Sequence, residues 1–185
     1  MIIDFLMKHV NFSKEELDII ASQFERQFIE KNELFLKEGE VCKKIAFVES
    51  GTLTLSQTLD TGNEHILDFF TSGEMITDYY SFLKNIPSEA NIKALKKASL
   101  LVITQEKTDF LYNTISNYQK LGRILSQHAF IQLAESLKYT SLPPIDRYER
   151  FIKQKPWVFE NFPQYMIASY LGISPEWLSK IRTKK

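Results

Sequence analysis

A single cysteine, Cys42, stands among 185 residues, so there is neither an internal disulfide nor the thiolate set that an iron–sulfur cluster needs. Three histidines, His9, His65 and His128, are too scattered to suggest a metal site. No apolar run approaches the roughly 20 residues of a membrane span. The apolar start, Met1 to Lys8, carries Asp4 and lacks a basic front and a cleavage site, so it does not read as a secretory leader and a cytoplasmic protein is expected. Neither sign of charge is in excess: 23 Lys plus Arg balance 23 Asp plus Glu. That balance excludes a polycation coating nucleic acid but leaves room for a local basic patch. One histidine in the central region and no Ser–His or Cys–His constellation argue against an enzyme.

What is present is core material: 44% apolar residues and 14 phenylalanines. Ser13-Lys14-Glu15-Glu16 is a capping-box pattern that opens a helix carrying Leu17, Ile20 and Phe24. The period then shortens. Apolar runs at Phe35-Leu36, Ile45–Val48, Ile66–Phe70, Ile92, Leu95 and Leu100–Ile103 alternate with turn signals, which predicts an antiparallel barrel or sandwich. Thr52-Leu53-Thr54-Leu55 alternates, and the turn at 60–63 sends the chain back through His65–Phe70 as a hairpin. From Glu106 the pattern is helical again. A stretch free of proline from Lys120 to Leu142 is apolar on two faces, and Phe130 and Leu133 are out of line with Leu121 and Leu125. One face has the barrel to cover it; the other requires a second domain or a second copy of the chain. Pro143-Pro144 then ends the helix. The chain accordingly divides into 1–115, a barrel with flanking helices, 116–142, a long helix, and 143–185, a small helical domain.

The most specific pattern runs from Gln164 to Arg182 and reads as a helix-turn-helix. Ile167, Ala168 and Leu171 form one apolar face, Gly172 suits a tight turn, and Ile173 plugs the corner. Ser174 is a good N-cap and Pro175 a good first helical residue. Leu178 and Ile181 turn inward, leaving Pro175, Glu176, Ser179, Lys180 and Arg182 outward. Packing alone would also explain a helical hairpin. Charge favours nucleic acid: after Pro144 there are eight basic and four acidic residues, a local +4 against −4 in the remainder.

At this point the chain resembles the Crp/Fnr family of bacterial transcription regulators. The resemblance rests on Phe47-Val48-Glu49-Ser50-Gly51, on Phe69-Phe70-Thr71-Ser72-Gly73-Glu74, on the long helix and on the terminal motif. It implies an α+β fold: an N-terminal jelly-roll barrel like a cyclic-nucleotide-binding domain, a long dimerisation helix and a C-terminal helix-turn-helix domain. It implies a homodimer that reads a pseudo-palindromic operator in double-stranded DNA. Base-edge contacts would fall to Ser174, Pro175, Glu176, Ser179 and Lys180, with Arg182 also on the DNA-binding side and Lys184 and Lys185 replacing some phosphate contacts of the missing wing. Pairing through the long helix would use Leu121, Ile124, Leu125, His128, Ile131 and Glu135. The chain resembles short members without the β-wing that follows the recognition helix in longer ones.

An effector pocket is implied around Phe70, Gly73, Glu74, Thr77, Asp78, Tyr79, Ser88 and Glu89. Family members that bind cyclic nucleotides hold the ribose with a Gly–Glu step and the phosphate with an arginine. Here those positions are Thr77-Asp78 and Ser88-Glu89, and no arginine lies between Arg26 and Arg123. Asp78 retains a carboxylate for a ribose hydroxyl, but cAMP and cGMP are expected not to bind. Phe69, Phe70, Tyr79, Tyr80 and Phe82 read either as core or as the wall of a site for another small molecule. Cys42 reads as a redox reporter or a buried thiol, and His65 as a surface strand residue. No cofactor, metal or membrane association is expected. The alternative to a regulator is a sensor or interaction module that has lost DNA binding.

Overall fold

The computed structural model describes residues 1–183. Two short helices, α1 (Ile2–His9) and α2 (Lys14–Gln23), lead into β1 (Glu25–Ile29), β2 (Leu34–Leu36), β3 (Lys44–Ser50), β4 (Thr52–Thr58), β5 (Glu64–Thr71) and β6 (Met75–Ile76). A short helix, α3 (Tyr79–Lys84), precedes β7 (Asn91–Ala94) and β8 (Ala98–Thr104). Then come α4 (Gln105–Thr114), the long α5 (Ser116–Thr140), and α6 (Pro144–Gln154), α7 (Val158–Asn161), α8 (Gln164–Leu171) and α9 (Pro175–Thr183).

The strands form two four-stranded antiparallel sheets, ordered β1-β8-β3-β6 and β2-β7-β4-β5. The expected capping box opens α2: the Ser13 hydroxyl accepts from the Glu16 amide at 3.2 Å, and Glu16 accepts from the Ser13 amide at 2.8 Å. The expected hairpin is β4–β5. Between β3 and β4 the chain turns at Gly51 with φ +101, and a Cβ there would lie 2.6 Å from the Ala98 Cβ, so only glycine fits.

Three cores result. Inside the barrel Ile29, Ala46, Val48, Leu53, Ile92 and Leu100 are fully buried. A second core joins α1, α2, α4 and the start of α5 through Leu6, Ile20, Leu111 and Leu121. The third belongs to the C-terminal helices, around Phe151, Phe162, Ile167 and Leu178, and it takes in Ile66 and Phe69 from β5.

That last feature depends on a β-bulge. Leu55 pairs with Asp68 but Ser56 pairs with Ile66, so Leu67 is an extra residue. In a regular strand Ile66 and Phe69 would face opposite sides; the bulge brings both to the outer face, toward α8. The same face of β4 presents Thr52, Thr54 and Ser56, cross-strand from Thr71, Phe69 and Ile66. All three side chains are buried there.

The long helix runs about 37 Å at 1.5 Å per residue. It ends at Thr140, close to the expected 142. Pro143 then stands at the N-cap of α6 and Pro144 at its first position.

Candidate effector cleft and nucleic-acid interface

The terminal motif is built as its residue types require. Gly172 closes α8 at φ +64, its amide donating to the Ser169 carbonyl at 3.1 Å while the Ile173 amide donates to the Ala168 carbonyl at 3.0 Å. This Schellman arrangement satisfies the last carbonyls of α8 and turns the chain. The Ser174 hydroxyl then accepts from the Trp177 amide at 3.2 Å, capping α9. Met166, Ile167, Ala168, Leu171, Leu178 and Ile181 are buried between the two helices and the rest of the C-terminal core. Trp177 is half-buried against that core, in line with a packing role.

Ser174, Pro175, Glu176, Ser179, Lys180 and Arg182 are all exposed. Hydrogen bonds from the backbone and from the Ser174 hydroxyl, with Lys180 nearby, hold the Glu176 carboxyl below the usual carboxylate range, so at neutral pH it is an acceptor. Lys184 and Lys185, expected on phosphates, lie outside the described residues.

The C-terminal helices are held on β5 by polar contacts as well as by Ile66 and Phe69. The Ser169 hydroxyl accepts from the Ile66 amide at 3.1 Å and donates to the Glu64 carbonyl at 3.2 Å. The Lys155 ammonium sits 2.5 Å from Asp68 Oδ1, with the Phe70 and Trp157 ring centroids 6.0 and 5.9 Å away.

The expected pocket residues divide into two groups. Asp78 caps α3: its Oδ1 accepts from the Tyr80 and Ser81 amides at 3.1 and 3.2 Å, and its Oδ2 accepts from the Ser88 hydroxyl at 2.6 Å. The positions expected at a ribose and a phosphate are therefore bonded to each other. Glu89 is exposed beside them. Phe70, Gly73, Glu74, Thr77 and Tyr79 instead line a separate cleft of about 830 Å³ between the barrel, α1, α5 and the C-terminal helices. Of the aromatic set, Phe82 is barrel core and Phe69 is interdomain core, whereas Tyr80 is exposed.

Residues that motif reading did not single out complete the cleft: Tyr112, Tyr118, Gly122, Lys155 and Tyr170. A Cβ on Gly122 would lie 2.4 Å from the Tyr112 hydroxyl, so this mid-helix glycine makes room for that ring. Glu74 accepts from the Thr71 amide at 2.8 Å, and burial raises its carboxyl above the usual range. Cys42 is buried, its Sγ 3.2 Å from the Thr77 hydroxyl. His65 lies half-exposed on β5. Among the described residues no group of three His, Cys, Asp or Glu is placed to hold a metal ion. No described helix is long and apolar enough to cross a membrane.

The outward face of α5 differs from the expected one. Leu121 is buried in the chain's own second core and Leu125 packs against it, while the His128 ring contacts His9 with centroids 5.5 Å apart. Phe130 lies nine residues beyond Leu121, two and a half turns, and so on the opposite side. Phe130 is 72% exposed and Leu133 59%. Of the six residues expected to pair two copies, His128, Ile131 and Glu135 are exposed, Ile124 and Leu125 are half-buried and Leu121 is buried. Leu121 and Leu125 are turned inward because Leu6, Ile20 and Leu111 come from distant segments to cover them.

Residues 26–114 match the family model of the cyclic nucleotide-binding domain. This stretch runs from β1 to the end of α4. Solved structures extend the likeness to the whole fold. The catabolite activator protein of Thermus thermophilus is 19% identical, with 97% of this chain and 85% of that one covered at a TM-score of 0.58. The c-di-GMP responsive global regulator CLP of Xanthomonas campestris is 17% identical, with coverage of 93% and 91% and a TM-score of 0.65. FixK2 of Bradyrhizobium japonicum is 14% identical, with coverage of 87% and 83% and a TM-score of 0.70. These neighbours are Crp/Fnr-type regulators. At such identities the likeness is one of fold: a cyclic nucleotide-binding barrel, a long helix and C-terminal helices. No curated protein matches the chain.

Proposed function

We propose that the chain is a homodimeric, sequence-specific DNA-binding regulator of the Crp/Fnr type, governed by a small molecule other than a cyclic nucleotide. The observation that carries this reading is the outward row of α9. Glu176, Ser179, Lys180 and Arg182 stand exposed on a helix whose opposite side is anchored by Leu178 and Ile181. Glu176 accepts from a cytosine amine, Lys180 donates to guanine, and Arg182 contacts phosphate. The exposed Phe130, Ile131 and Leu133 on α5 give a second copy an apolar strip to cover. The two recognition helices would then enter successive major grooves about 34 Å apart.

The proposed effector site is the cleft, not the Asp78–Ser88 position. There the Ser88 hydroxyl already donates to Asp78, and a cyclic phosphate would meet the carboxylates of Asp78 and Glu89 with no arginine to offset them. Binding in the cleft acts by shifting the population of α9 orientations.

Selection of duplexes from a random pool tests the reading. A two-fold operator should emerge, Lys180→Ala should relax one position of it by about 1–3 kcal/mol, and Arg182→Ala should weaken all sequences alike. A pool that yields no enriched sequence, with or without cell extract, would return the chain to a sensor that does not bind DNA. Calorimetry with cAMP should show no heat of binding at micromolar concentration.

A further inference from the structure

The charge balance of the cleft is the feature that the proposed function leaves unused. Its lining includes three carboxylates, Asp68, Glu74 and Glu135, against a single lysine, Lys155, two histidines, His9 and His128, and no arginine. That lysine is engaged by Asp68 at 2.5 Å. Glu74 makes no ion pair among the described residues, yet its carboxyl feels both Asp68 and Lys155 and is largely removed from water. The end of the cleft formed by Asp68, Glu74, Phe70 and Trp157 is therefore already a cation site in chemical terms. Rings and acids surround one ammonium, supplied by the chain itself, with negative charge to spare.

A second observation points to an occupant. Tyr118 is only 7% exposed and lines the same cleft. A tyrosine on the wall of a cleft offers its ring face and a hydroxyl donor to whatever the cleft holds. The rings of Tyr112 and Tyr118 lie 5.1 Å apart, and their hydroxyls feel each other and Tyr79. Burial raises both phenols above the usual range, so they remain protonated as donors. The volume, about 830 Å³, falls in the range of sites for ligands of drug size.

We propose that this cleft binds a small organic ammonium: an apolar, ring-bearing molecule whose amine seats against Glu74 and Asp68 and whose body reaches the Tyr112–Tyr118 end. The proposal rests on the cleft being the effector site and adds the chemical class. Three carboxylates against one lysine disfavour an anionic ligand, and an ammonium supplies Glu74 with the counter-charge that Lys155, engaged by Asp68, does not. The ligand's amine and Lys155 would share the same carboxylates. Occupancy would therefore compete with the contact that ties α6 and the helices beyond it to β5.

Calorimetry on the full chain with three probes of one shape tests this: tryptamine (cationic), indole (neutral) and indole-3-acetate (anionic). Tryptamine should bind tightest, indole about tenfold more weakly, as the loss of a hydrogen bond to a charged group implies, and indole-3-acetate not measurably. Glu74→Gln keeps the acceptor for the Thr71 amide and removes only the charge. It should reduce tryptamine to the level of indole and leave indole unchanged. Tyr118→Phe should weaken both tryptamine and indole. Indole-3-acetate binding as well as tryptamine, or tryptamine indifferent to Glu74→Gln, overturns the cationic class while leaving the cleft as a binding site. Failure of all three probes overturns the cleft reading as well.

Discussion

Thr54→Val should stabilise the protein, although it removes a polar group from a strand that looks water-facing. Thr52, Thr54 and Ser56 alternate with Leu53 and Leu55 on β4, the pattern of a sheet with one wet face. Yet the C-terminal core reaches this face through Ile66 and Phe69, and the three hydroxyl oxygens are buried with no partner among the described residues. Thr54 has 0% exposure and is cross-strand from Phe69. An unpaired buried hydroxyl costs about 1–3 kcal/mol. Valine has the same shape and a comparable strand preference, and it turns that cost into a small gain from methyl burial. A net stabilisation of about 1–2 kcal/mol, at roughly 2–4 °C per kcal/mol for a chain of this size, raises Tm by about 2–8 °C. Urea unfolding should show a higher midpoint at unchanged m-value. Thr58→Val, at the exposed end of the same strand, should stay within about 0.5 kcal/mol of wild type. An unchanged or lower midpoint for Thr54→Val would mean that water reaches the hydroxyl, and hence that the C-terminal helices do not sit on this face in solution.

Two further outcomes follow from single contacts. Gly122→Ala should destabilise despite a helix preference worth about 1 kcal/mol in its favour, because the new methyl meets the Tyr112 ring; in a Tyr112→Ala background, thermal denaturation should show the sign reversed. Glu49 and Glu74 should act oppositely on the pH dependence of stability. Arg26, in a two-bond contact at 2.7 and 2.8 Å, holds the Glu49 carboxyl below the usual range, so its stabilisation is full above that range and is lost as the pH falls; Glu49→Gln should flatten that acid limb. Burial raises Glu74, so the folded state binds its proton more tightly than the unfolded chain does, and stability falls as the pH rises upward from the usual carboxylate range. Glu74→Gln should remove that decline in urea titrations read pH by pH.

Local chemistry made much of the fold legible. The capping box, the β4–β5 hairpin, the double-proline boundary and the Gly172–Ser174 turn each depend on residues a few positions apart, and each formed where the residue types placed it. What the sequence could not assign was which of two apolar faces meets a distant partner. Leu121 and Phe130 are equally apolar on one helix, and only Leu6, Ile20 and Leu111, brought in from elsewhere, decide that Leu121 turns inward. The bulge at Leu67 was hidden for a related reason. Ile66–Phe70 reads as one apolar run, and the extra residue shows only in the register with β4. In the cleft, Gly73, Glu74, Thr77 and Tyr79 were found through the family's nucleotide positions. Tyr112, Tyr118 and Lys155 lie too far along the chain for any spacing rule. One signal was available: a glycine inside an otherwise good helix, at 122, marks a close approach, and Tyr112 is what approaches.

The bulge also explains how the cleft and the C-terminal helices come to share one strand. Along β5, Ile66 and Phe69 enter the core of the C-terminal helices, while Leu67, Asp68 and Phe70 line the cleft. The extra residue breaks the ladder, and Ser169 of α8 takes over, accepting the Ile66 amide and donating to the Glu64 carbonyl. α8 is thus bonded to the backbone of a strand whose neighbouring side chains line the cleft. Close-packed elements move between discrete arrangements rather than deforming smoothly. A ligand of the proposed kind that drew Asp68 away from Lys155 would act between Ile66 and Phe69, the β5 residues that enter the core of α8, and through the Gly172 turn on α9. The unpaired hydroxyls of β4 lower the cost of leaving that seat, because water satisfies them once the helices lift. A sheet face of threonine and serine, closed but not bonded, is what a docking surface needs if it is to be left as well as occupied.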